Sequence, residues 1–89
     1  MTRTEVENVI NVYYPKYWRS RFVDHERTNR FGDTIVETSM YKNRWVQYVY
    51  DKDDNVKSLI VMVQWTYGLN RINEKEAKTI DEFKKALGL

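Results

Sequence analysis

"RWVQYVYDKDDNVKSLIVMVQWTY", residues 44–67, decides the architecture. Two runs rich in β-branched and aromatic residues flank a polar cluster, the pattern of a β-hairpin. The first run, 44–50, alternates Trp45, Gln47 and Val49 with Val46, Tyr48 and Tyr50. The second sets Leu59, Val61, Val63 and Trp65 on one face and Ser58, Ile60, Met62 and Gln64 on the other. The Leu59 set is expected to face the core. Ile60 and Met62 make the reverse face apolar enough to expect some cover there too, from a helix or a partner chain. "DKDDN", 51–55, supplies the loop.

Upstream, "TIVETSMY", 34–41, adds a strand, with Lys42 and Asn43 turning into the next. "TNRFGD", 28–33, has turn composition. It makes "YWRSRFVDHER", 17–27, the first arm of another hairpin. As a strand, that arm shows Tyr17, Arg19, Arg21, Val23, His25 and Arg27 on one face and Trp18, Ser20, Phe22, Asp24 and Glu26 on the other. The alternative is a helix over 16–24, with Pro15 at its first position and Trp18 and Phe22 on one side.

Helices are expected at both ends. Thr4 followed by Glu7 is a capping-box pattern, and Val6, Val9, Ile10 and Tyr13 recur at helical steps. Pro15 disfavours helical geometry at Tyr14, so this helix is expected over 5–14. Thr79 with Glu82 repeats the pattern before Ile80, Phe83, Ala86 and Leu87, and Gly88 ends a helix over about 79–87. Lys84 and Lys85 suit its C-terminal dipole. Asn73 with Glu76 offers an earlier start near residue 74. The expected fold is α+β: one domain over 1–89, a four-stranded antiparallel meander (17–27, 34–42, 44–51, 56–67) with both helices on one face.

At 89 residues, the chain has room for one small core. Seven Tyr, three Trp and three Phe are more rings than such a core readily hides, and surplus rings favour interfaces. The net charge of +2 is too weak to imply a nucleic-acid partner by itself. The excess is local: over 16–30, Lys16, Arg19, Arg21, Arg27 and Arg30 stand against Asp24 and Glu26. With no cysteine, disulfides and thiolate chemistry are excluded, and an intracellular, cytoplasmic home is expected. The longest apolar run, "LIVMV" at 59–63, is too short to span a bilayer, and no signal peptide or membrane partner is expected.

Catalytic patterns are thin. His25 is the only histidine, and its neighbours Asp24 and Glu26 point away from it along a strand. "DKDDN" begins like a calcium loop, but Val56 stands where Gly belongs and Met62 where Glu belongs, so a polar hairpin tip is expected. Gly32, Gly68 and Gly88 are scattered and form no phosphate loop. No enzyme activity, metal, cofactor or small-molecule substrate is expected.

Two binding readings follow. The first is a protein-interaction regulator or inhibitor, with nucleic-acid-handling machinery as one class of target, or a homodimer. Its candidate interface is Tyr48, Tyr50, Ile60, Met62 and Tyr67, with Tyr13 also expected among the exposed rings. The second is single-stranded nucleic acid on a basic-aromatic ribbon of Tyr17, Arg19, Arg21, His25 and Arg27, extended by Arg30 and Arg44. Against both stands a plain reading of the ribbon as a solvated strand whose charges deter sheet-to-sheet pairing.

Overall fold

The computed structural model describes residues 1–16, 23–40, 44–64 and 72–89. Helix α1 (Arg3–Lys16) is followed by strands β1 (Val23–Thr28), β2 (Thr34–Met40), β3 (Arg44–Tyr50), β4 (Val56–Gln64) and β5 (Ile72–Glu76), then helix α2 (Ile80–Ala86). The strands pair antiparallel in the order β1-β2-β3-β4-β5. The fold is the expected α+β meander between terminal helices, with five strands in place of four. The 17–22 part of the first expected strand, the Lys42-Asn43 turn and Trp65 lie outside the described residues.

The additional strand, "INEKE", has one apolar residue in five, and its Asn73 and Glu76 resemble a helix start. Pairing decides its conformation. Ile60 lies opposite Glu76 and Met62 opposite Glu74, and the Ala77 N–H donates to the Leu59 carbonyl at 2.9 Å. The backbone of β4 is a template, and charged side chains suit an exposed edge. Residues 74–76 are therefore strand, and helix α2 starts after Thr79.

Register explains the core. Tyr48 lies opposite both Val36 and Leu59, and Val46 opposite both Thr38 and Val61. These six side chains are buried, with Tyr50, beneath Val6, Val9, Ile10 and Tyr13 of α1 and Phe83 of α2, and Leu87 just after it. Both helices therefore cover the same sheet face. The apolar stripes expected for α1 and α2 and the Leu59–Val61 core face are all observed.

The helix ends differ in detail. Thr2, not Thr4, caps α1: its hydroxyl accepts from the Glu5 N–H at 3.3 Å, while the Glu5 carboxylate accepts from the Thr2 N–H at 3.0 Å. Glu7 is thereby freed for the interior, where it accepts from Arg3 Nε at 3.1 Å and from the Tyr48 hydroxyl at 2.9 Å. Helix α1 also runs past Tyr14 to Lys16. Pro15 deletes one N–H within the last turn, which such a position tolerates better than a helix centre. Helix α2 is capped by Thr79 as expected, its hydroxyl accepting from the Glu82 N–H at 3.1 Å. At its other end Gly88 takes φ +75°, and Gly88 and Leu89 donate to Lys85 and Lys84 carbonyls at 3.0 and 2.9 Å, a Schellman closure.

Truncation should separate the two sheet faces. Leu59→Ala, at a fully buried position, is expected to cost about 2–5 kcal/mol. Ile60→Ala, half-buried on the reverse face, should cost no more than about half of that. Urea unfolding followed by tryptophan fluorescence at sub-micromolar protein measures both.

Candidate protein interface

The side of the sheet away from the helices is built from the alternate residues of the same strands. Three rows cross it. His25, Glu37, Gln47, Ile60 and Glu76 form one, Arg27, Ile35, Val49 and Ser58 the next, and Ser39, Trp45, Met62 and Glu74 the third. Ile35, Trp45, Val49, Ile60 and Met62 are half-buried. Within the described residues, both helices belong to the opposite layer.

Charge on this face is arranged by strand. β1, one edge, contributes His25 and Arg27, both exposed. β5, the other edge, contributes Glu74 and Glu76, also exposed. Between them the face carries Ile35, Trp45, Val49, Ile60 and Met62, interrupted by Ser39, Ser58 and a polar pair in which the Gln47 amide donates to Glu37 at 3.1 Å.

The two hairpin tips lie at one end of the sheet and are built alike. In the first, Asn29 Oδ1 accepts from the Phe31 and Asp33 N–H groups at 2.9 and 3.1 Å. In the second, Asp51 Oδ1 accepts from Asp53 and Asn55 at 2.9 and 3.0 Å. The fourth residue of each loop has positive φ, +84° at Gly32 and 63° at Asp54. "DKDDN" is thus a hairpin tip, and one oxygen of Asp51 is already committed to its own turn. Those backbone donors, first Asn55 and then Asp53, outweigh burial and hold the Asp51 carboxyl below its ordinary value. The tips are tied across by Lys57 and Asp33 at 3.0 Å.

Of the basic-aromatic ribbon, Tyr17, Arg19 and Arg21 lie outside the described residues. His25 and Arg27 share the outer face. A bulge separates them from what precedes: Val23 lies opposite the inward Thr38, whereas His25 lies opposite the outward Glu37. Arg30 sits at the first tip with its guanidinium 5.0 Å from the centre of the Phe31 ring, and Phe31 is 74% exposed. Arg44 does not extend this patch. It lies in the inner row opposite Val63, and its guanidinium donates to the Leu87 carbonyl at 3.1 Å, where the C-terminal end of α2 favours a cation.

The aromatic interface also divides. Tyr13, Tyr48 and Tyr50, expected at an exposed surface, are buried under the helices. Tyr48 keeps its hydroxyl satisfied by Glu7, and Arg3 lies 4.5 Å above the centre of the Tyr50 ring. Burial disfavours the Arg3 charge, but Glu7, Tyr50 and Asp54 outweigh it and raise its pKa. Ile60 and Met62 do lie on the outer face, and Tyr67 is outside the described residues. Trp45 and Val49 were the missing members. Their phase follows once Leu59 and Val61 are placed in the core and paired with Tyr48 and Val46 across the hairpin.

Small hollows lie among the described residues. One of about 260 Å³ lies near Met1, Lys57, Glu76 and Lys78, and one of about 220 Å³ near Val9, Val12, Lys84 and Leu89. Both fall under the roughly 300–1,000 Å³ usual for small-molecule sites. Among the described residues no three His, Asp or Glu side chains converge as a metal site, and no helix is long and apolar enough to cross a membrane. No protein family, curated protein or solved structure matches the chain.

The Asp51 turn makes a pH-dependent contribution. Its carboxyl is depressed below 3.8 in the fold, so the contribution is complete above that value and is lost as pH falls through the lower folded value. The difference in Tm between the wild type and Asp51→Ala should be constant from about pH 7 to pH 5 and narrow below about pH 4. Thermal melts across that range measure it.

Proposed function

We propose that this chain is a small, non-enzymatic protein-interaction module of the cytoplasm, a regulator or inhibitor that works by occupying a surface on its partner. One observation carries the reading. Among the described residues, the sheet has two helices on one side, while the other presents Ile35, Trp45, Val49, Ile60 and Met62 with no helix over them. A contiguous apolar patch with a polar rim is the usual form of a protein-binding surface. Trp45 is its natural anchor, since Trp and Tyr dominate interface hot spots.

A nucleic-acid reading draws support from Arg30 stacked on exposed Phe31, beside His25 and Arg27. Glu26, exposed on the same edge, and Glu37, next to His25, weaken the field a phosphate backbone would meet. Protein binding is therefore the favoured reading.

Two measurements separate these. At low salt, the protein should show no binding to a labelled single-stranded oligonucleotide of mixed sequence. Tight binding that falls steeply with added salt would transfer the function to the basic edge. A photo-crosslinking residue at position 60 should capture protein in native lysate or in purified solution, and one at the exposed position 5 on α1 should not. Equal capture from both would remove the outer face from consideration.

A further inference from the structure

Resting on the protein-interaction reading, we infer that the partner of the outer face is a second copy of this chain, packed sheet to sheet about a two-fold axis running along β3. β3 is the middle of five strands. An axis parallel to it lays β1 of one copy over β5 of the other, and β2 over β4. The edge that carries His25 and the cationic Arg27 then meets the acidic edge, Glu74 and Glu76, at both rims of the interface. His25 and Glu76 stand in the same row, so they face one another directly. Along the axis Trp45 meets Trp45, Gln47 meets Gln47 and Val49 meets Val49. An in-plane axis perpendicular to the strands would instead stack β5 on β5 and β1 on β1, setting the glutamate edges of the two copies together and leaving both Arg27 side chains away from them. Charge therefore selects one of the two symmetric arrangements, and an isologous contact closes as a dimer.

The geometry is that of an aligned β-sandwich with the two sheets about 10 Å apart and offset by about 30°. Each copy would have a helix layer outside and the shared apolar layer inside. The face measures on the order of 500 Å², from strand spacing and length, which is below the roughly 800 Å² per partner of a standard interface. The dimer is therefore expected in the micromolar range. Glu37 limits it further. Its carboxylate, held by Gln47 at 3.1 Å, lies within the footprint and opposite Ile60 of the second copy.

Sedimentation velocity over concentrations from low to several hundred micromolar tests the inference. The wild type should show a reversible monomer–dimer equilibrium. Arg27→Glu alone and Glu76→Lys alone should each weaken it by about 10-fold, and the two together should recover to within about 3-fold of the wild type. Glu37→Gln should tighten it by about 10-fold. The substituted side chains are exposed or half-buried, and thermal melts confirm that each variant folds.

A wild type that stays monomeric throughout overturns the inference. So does a dimer whose affinity ignores both reversals, because it would use another surface. A monomer that still captures a different protein from position 60 in lysate overturns self-association and leaves the interaction reading standing. A monomer that captures nothing there overturns both.

Discussion

The pairing of Tyr48 with Leu59 and Val46 with Val61 across the β3–β4 hairpin is the constraint on which the rest of the structure depends. It puts four fully buried or nearly fully buried side chains in one block at the sheet centre. β2 extends that block with Val36 and Thr38, and the two helices close over it. Because side chains in a strand alternate with a period of two, this one register assigns every residue of the three central strands to a face. A slip by one would bury Trp45, Gln47 and Val49 and expose Val46 and both tyrosines. Hydrophobic burial on a small domain leaves little margin for that exchange.

Polar groups drawn into this arrangement find partners nearby, although the buried Arg44 Nε has no hydrogen-bond partner among the described residues. Tyr48 brings a hydroxyl into the core, and Glu7 receives it from α1. Glu7 is held in turn by Arg3, which also covers Tyr50 and approaches Asp54 at 3.7 Å. The N-terminus is thus tied to the β3–β4 tip, and the Val56 N–H donates to the Met1 carbonyl at 3.0 Å in the same region. At the opposite end of the inner layer, Arg44 meets the last turn of α2. Charged residues that look suited to a ligand in the linear chain are here the means by which helices are held to the sheet.

The functional reading follows from the asymmetry this produces. One face carries the helices, the buried rings and the Glu7 and Arg44 contacts. The other retains five apolar side chains between a basic edge and an acidic edge. A sheet of this kind is stable with one face solvated, but aliphatic and indole groups in the solvated face are not needed for that stability. Their presence, and the ordering of charge across the strands, supports the proposed partner.

The hairpin over 44–64, the strand at 34–40, the apolar stripes of both helices, the Thr79 cap and the turn chemistry at 29–33 and 51–55 were legible in the chain, because local periodicity and turn residues act over a few positions. β5 was not, since "INEKE" has no strand preference of its own and takes its conformation from the β4 backbone. Thr4 with Glu7 fits the capping pattern as well as Thr2 with Glu5 does, and only the position of Tyr48 shows that Glu7 is needed elsewhere. For the candidate surface, the sequence by itself determined that cations cluster near 16–30, that rings are in surplus and that Ile60 and Met62 oppose the core side of β4. Only the tertiary structure decided that Arg44, Tyr48 and Tyr50 belong under the helices and Trp45 and Val49 outside. That choice is a question of strand phase, and phase is set by cross-strand register and helix packing, which join residues far apart in the chain.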